Sequence, residues 1–234
     1  MLKVKKFYII FLTFLCLIIS KYSLAEVELL QSHIQTLKFN MDYGFSTSKS
    51  KAVESNDTGS TLRYGLDINA GQDLALGVTL LTETASYNYE LNNSSMATSF
   101  QDLIFSYTIY WLKFGLVFSN ATLLAKKENV ELSELTGSGY GALMNFYWPL
   151  SKKSLLYLNT LFTSTSKAED KVAEKASIAA RMNIDFGASI DLSREIWKLN
   201  FGYRQHTFGL ALDGENFDEF STSTYLGIAA GITF

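Results

Sequence analysis

From Leu37 onward the chain consists of short stretches in which apolar and polar residues alternate one by one, and the charged residues within them fall on the polar parity. A period of two puts successive side chains on opposite faces of an extended strand. The first stretch sets Leu37, Phe39, Met41, Tyr43 and Phe45 against Lys38, Asn40, Asp42 and Gly44. The second sets Leu62, Tyr64, Leu66 and Ile68 against Arg63, Gly65, Asp67 and Asn69. The longest covers 178–192, with Met182, Ile184, Phe186 and Ile190 opposing Arg181, Asn183, Asp185 and Asp191. Further stretches near 74–84, 100–111, 114–124, 137–148, 154–164, 196–207 and 222–234 bring the predicted count to ten strands. Leu80-Leu81, Leu123-Leu124 and Leu155-Leu156 break strict alternation, and one misread hairpin makes the count eight or twelve.

Alternation alone also fits a soluble barrel or sandwich that hides its apolar parity. The placement of charge decides between the two. The apolar parity carries no Asp, Glu, Lys or Arg in any of the ten stretches, while the other carries Lys38, Asp42, Arg63, Asp67, Glu83, Asp102, Arg181, Asp185, Asp191, Lys198 and Arg204. An outward band without charge suits hydrocarbon, where Arg or Lys at mid-depth costs about 2–4 kcal/mol. The pattern therefore predicts an all-β, transmembrane, antiparallel up-and-down barrel over 35–234, with those eleven side chains lining its lumen.

The connections agree. Short turns are expected at Gly71-Gln72-Asp73, Leu112-Lys113, 149–153 and Ser193-Arg194-Glu195. Between them lie longer polar stretches near 46–60, 85–99, 125–136, 165–176 and 208–221. Trp111, Trp148 and Trp197 all fall beside short turns, as expected of a girdle of amphipathic rings at one water–lipid boundary. Tyr43, Phe45, Phe100, Tyr140, Phe162, Tyr203 and Tyr225 are candidates for the girdle at the other boundary.

The N-terminus reads as an export signal. Lys3, Lys5 and Lys6 precede an apolar run over 7–19, and Ser23-Leu24-Ala25 offers small residues for cleavage before Glu26. That run is short of the roughly 20 residues a membrane-spanning helix needs. Cys16 follows Thr13-Phe14-Leu15 and so lacks the small neighbour of a lipidation site. Cleavage would leave 26–34 as a periplasmic leader containing His33, and a mature chain free of cysteine. The signal takes with it four lysines and no acid, moving the net charge from −3 to about −7. A nucleic-acid partner would have no basic footprint to bind.

Leu226, Ile228, Ala230, Ile232 and Phe234 alternate to the last residue. This ending resembles the terminal strand of bacterial outer-membrane β-barrel proteins, whose final Phe serves as an assembly signal. The resemblance covers the whole mature chain in pattern and implies outer-membrane lipid, lipopolysaccharide, periplasmic chaperones and the barrel-assembly machinery as partners. It also implies periplasmic N- and C-termini.

The function expected from this is a small porin-like channel or a structural barrel with a charged lumen. Roughly balanced inward charges fit a packed ion-pair network, or a narrow pore without strong charge selectivity, since selectivity usually needs a ring of one sign. Two rivals stand beside it. One is a hydrolase, protease or lipase, at the outer rim: His206 precedes a loop with Asp213, Glu215, Asp218 and Glu219, an arrangement similar to outer-membrane proteases of the omptin type. However, Arg204-Gln205-His206 stands where an Asp-x-His motif is wanted, and no Gly-x-Ser-x-Gly or His-x-Ser is present. The other is a surface-binding or adhesin barrel acting through its loops. No metal-ligand spacing or phosphate loop points to a metal or cofactor. Gly137, Gly139 and Gly141 read as strand glycines that make room for a neighbour or a bend, and 167–175 (KAEDKVAEK) as a solvated loop or short helix.

Overall fold

The computed structural model describes residues 36–50, 55–70, 75–89, 94–127, 130–170, 176–193, 196–212 and 215–233. The signal segment, the leader with His33, the Gly71-Gln72-Asp73 turn and Phe234 lie outside them. Ten strands occupy nearly all the described residues: β1 (Thr36–Ser50), β2 (Ser55–Ala70), β3 (Ala75–Tyr89), β4 (Ser94–Ile109), β5 (Leu112–Lys127), β6 (Val130–Ser151), β7 (Ser154–Asp170), β8 (Ala176–Ser193), β9 (Trp197–Leu212) and β10 (Glu215–Thr233). Each pairs antiparallel with its sequence neighbours, and β1 pairs with β10 to close the barrel. Closure leaves no unpaired strand edge.

The strands run well past the alternating apolar stretches at one end. Residues 46–50, 55–60, 94–99 and 165–170, expected in long polar connections, continue the ladders as strand. The reason is physical. Hydrophobic periodicity ends where the apolar band ends, whereas backbone pairing goes on through Ser- and Thr-rich sequence that suits a pleated surface. The expected contrast of short and long connections thus becomes a contrast between a short-turn end and an end of polar strand extensions. In the same way, 167–170 of the charged KAEDKVAEK run belong to β7, and Glu215, Asp218 and Glu219 belong to β10. Asp213 and residues 171–175 lie outside the described residues.

The β4–β5 turn also sits two residues earlier than expected. Ile109 pairs with Leu112 across Tyr110-Trp111, and Lys113 is a strand residue. Tyr110 takes φ 52° there, a left-handed conformation usual for glycine in tight hairpins. Pro149 lies in β6 next to an irregularity in the β6–β7 register, and a second shift falls at Ser138/Gly139. A missing N–H is tolerated at such a place.

Polarity is inside out. Leu116 and Leu226 on the exterior are 65% and 59% exposed, while Arg181 and Arg204 in the interior are 2% and 1% exposed. The outward apolar run covers eight to eleven residues on strands such as β1 (37–45) and β8 (182–192). At about 3.3 Å per residue and a tilt of roughly 40°, that is a band about 20–28 Å high. Where alternation broke, one leucine of each pair faces inward: Leu81 in β3, Leu123 in β5 and Leu155 in β7. Leu81 packs with Ile104, Val117, Leu143 and Leu161 into an apolar cluster on the β3–β7 wall of the lumen.

Candidate functional site in the lumen

The lumen is filled in tiers of side chains contributed by the inward parity. In the tier nearest the polar extensions, Arg181 (β8) reaches across to β4. Its Nη1 donates to both oxygens of Asp102 at 3.0 and 2.9 Å, and its Nη2 lies 3.4 Å from Glu83 Oε2 on β3. Ser119 donates to Asp102 at 2.6 Å, and Asn183 to Glu83 at 2.9 Å. The guanidinium sits 4.1 Å from the centroid of the Phe100 ring. Asp102 is thereby compensated by charge and by hydrogen bonds on both oxygens, the condition under which buried charge is tolerated, whereas Glu83 is bonded through Oε2 and keeps Oε1 buried without a hydrogen bond.

His206 belongs to this tier and not to the outer rim. It is 4% exposed, packed against Phe100 at 4.9 Å and Phe208 at 5.6 Å between ring centroids. Arg181 Nε donates to His206 Nε2 at 3.2 Å, and His206 Nδ1 lies 3.2 Å from Glu83 Oε1. A guanidinium can only donate, so Nε2 must hold the lone pair and the proton sits on Nδ1, facing Glu83. The ring thus lies between the Arg181 guanidinium, which donates to it, and the Glu83 carboxylate, whose Oε1 is close but not hydrogen-bonded. A carboxylate stands beside the histidine, as a hydrolase would need, but the ring is buried among the described residues and does not present itself to a substrate.

In the middle tier, Arg204 (β9) makes a two-pronged contact with Asp42 (β1), both bonds 3.0 Å, and touches Asp185 (β8) at 3.4 Å. Arg63 (β2) reaches Asp185 at 2.8 Å. Tyr157 donates to Tyr225 at 2.5 Å, and Tyr225 donates in turn to Asp185. Two facing glycines make room for these phenols. A Cβ at Gly187 would lie 2.6 Å from the Tyr157 hydroxyl, and one at Gly202 would lie 2.7 Å from that of Tyr225. Gly187 and Gly202 are register partners on β8 and β9.

Nearest the short turns, Asp67 accepts from Asn40 at 2.7 Å, from Thr79 and from Lys113, the last at 3.5 Å. Lys198 pairs with Asp191 at 2.9 Å. A cavity of about 280 Å³ occupies this end and rises to the middle tier. Among the described residues, no three His, Cys, Asp or Glu side chains gather as a metal site requires.

All eleven charged residues singled out from the sequence lie on the inward parity. Lys113, assigned to a turn by sequence, joins them, so that these lumen groups comprise, among the described residues, six cations (Lys38, Arg63, Lys113, Arg181, Lys198, Arg204) and six anions (Asp42, Asp67, Glu83, Asp102, Asp185, Asp191). Two residues of the expected outer girdle are corrected: Phe100 and Tyr225 are interior, 2% and 6% exposed. Their parity, shared with Asp102 and Gly227, already placed them there. Tyr43, Phe45, Tyr140, Phe162 and Tyr203 face outward. At the short-turn end Phe146 stacks on Trp148 at 5.7 Å and lies 6.2 Å from Trp111, while Trp197 is half exposed at the start of β9.

No family model matches the chain, and no curated protein does. Among solved structures it is similar to Neisserial surface protein A (12% identity, 83% of this chain and 96% of that one, TM-score 0.42). It is also similar to the β domain of the Bordetella autotransporter BrkA (12%, 84% and 99%, 0.44). The translocator domain of the autotransporter NalP from Neisseria meningitidis is a third (13%, 83% and 87%, 0.41). At such scores the assignment of fold rests on the strand pairing of the chain itself.

Proposed function

We propose that the chain is an outer-membrane β-barrel with a sealed lumen, a structural barrel in preference to an open porin-like channel. The single observation that carries this is the pair of guanidiniums spanning the lumen, Arg181 from β8 to β3 and β4 and Arg204 from β9 to β1, each at most 2% exposed. A conducting pore needs a continuous water path past its lining charges, and groups so enclosed leave none beside them. The apolar exterior band and the absence of outward charge within it support a hydrocarbon environment. The tryptophans support placing the short-turn end, and with it both chain ends, at the periplasmic boundary. Outer-membrane lipid, lipopolysaccharide and the barrel-assembly machinery are the partners this reading entails.

Planar-bilayer recording on the refolded protein tests it. Silence at all salt concentrations is the expected result. Steady single-channel steps in the unmodified protein would overturn the sealed lumen in favour of a narrow pore.

A further inference from the structure

We propose that the lumen cavity at the short-turn end is a binding site for a small, neutral, polyhydroxylated solute of about monosaccharide size. Its volume, about 280 Å³, lies near the lower bound of small-molecule sites, about 300 Å³. It reaches the barrel end beside Asn69, Lys113 and Lys198 and stops against Asp42, Arg63 and Asp185 of the middle tier.

The chemistry of its wall is specific. Asn145, Asn159 and Asn183, on the consecutive strands β6, β7 and β8, each line the cavity with a buried side-chain oxygen that accepts no hydrogen bond. The amide nitrogens of two of them are already engaged, Asn145 with the Tyr147 hydroxyl at 3.2 Å and Asn183 with Glu83 at 2.9 Å. Their oxygens are therefore fixed in orientation, and both residues are more than nine-tenths buried. A buried acceptor without a donor costs about 1–3 kcal/mol, so three along one wall call for a molecule that brings several O–H donors.

A hydroxyl also accepts, and Lys38 and Lys113 line the cavity as donors. Beside the amides, with Leu143 and Leu161 two residues along β6 and β7 from Asn145 and Asn159, an apolar face of Leu81, Ile104, Leu143 and Leu161 offers a rest for the C–H side of a sugar-like ring. The carboxylates of Asp42, Asp67 and Asp185 are each held by Arg or Lys, so the site does not select for charge.

The site rests on the barrel reading proposed above, its wall being the inward parity of β6 to β8 whether or not the middle tier closes the lumen. The test uses the full chain refolded in an amine-oxide detergent, which carries no sugar headgroup. Saturation-transfer NMR titrations with glucose, galactose and mannose are compared with glucuronate, for the unmodified protein and for Asn145→Leu and Asn159→Leu. Heat-modifiable gel migration checks that each variant is folded, and Lys38→Met replaces any that is not. Saturable binding of a neutral sugar, weakened about tenfold or more by a variant, is expected, since tenfold corresponds to about 1.4 kcal/mol, roughly one lost hydrogen bond. Absence of saturation with any sugar overturns the proposal. So does binding that the variants leave unchanged, or binding confined to glucuronate. Channel steps alongside sugar binding would instead remove the sealed-lumen reading and leave the site standing.

Discussion

Replacing Arg204 by Met tests whether the lumen network holds the barrel together. Asp42 would lose both of its 3.0 Å bonds, while Asp185 would keep Arg63 at 2.8 Å and the Tyr225 hydroxyl. One carboxylate is therefore stranded, not two. Removing one partner of a buried ion pair costs about 3–5 kcal/mol. The Asp42 side chain is 15% exposed, so water relieves part of this and about 3 kcal/mol is expected. Urea unfolding of the refolded protein in lipid vesicles reads the loss as a shift in midpoint at unchanged slope. Asp42→Asn added to Arg204→Met removes the stranded charge, so the double variant should be more stable than the summed single effects by about 2 kcal/mol. A shift below about 1 kcal/mol for Arg204→Met, or strictly additive single effects, would show that the pair contributes little and that the tiers are incidental.

The sealed lumen also predicts that Arg181→Ser with Arg204→Ser converts a silent barrel into one giving conductance steps in planar bilayers. If that double variant folds and stays silent, something else closes the lumen. Leu66→Arg places a cation on the outer band and should cost about 2–4 kcal/mol in vesicle unfolding, while Asn69→Arg, at the cavity mouth, should be tolerated better; equal losses would mean the faces are reversed. Gly187→Ala pushes a methyl to 2.6 Å from both the Tyr157 hydroxyl and the Phe201 carbonyl, and should destabilise by about 1–3 kcal/mol in the same assay. Tyr110→Gly should stabilise by about 1 kcal/mol through relief of its positive φ, and no gain would mean that the interfacial ring contributes as much as the backbone strain removes.

Parity was the legible part. It supplied ten strands, the side each residue faces, and hence the inward position of residues as far apart as Asp42 and Arg204. Phe100 and Tyr225 depart from the expected girdle because their parity, not their residue type, sets the side they face. Ring size and amphipathic character suggest an interface, yet an inward aromatic can also stack on an arginine, as both do here at 4.1 and 4.5 Å. Lys113 is legible as a lumen residue only once the turn is set at Tyr110-Trp111, which neither Gly nor Pro marks in the sequence. Strand ends were not legible because Ser- and Thr-rich stretches pair as readily as they loop. The partners of His206 could not be read at all. Glu83 and Arg181 come from β3 and β8, and only the curvature of a closed barrel brings them together.

That last point bears on how the molecule reaches its final form. Arg204 meets Asp42 across 162 residues of sequence, and Arg181 meets Asp102 across 79. Neither contact can exist in a half-threaded sheet, where the same groups would sit uncompensated beside lipid. The interior charges thus penalise every intermediate in which β10 has not found β1. The mixed-sign lining acts as a latch whose Arg204–Asp42 part engages only when the last seam is joined, and it favours the closed barrel over an open sheet.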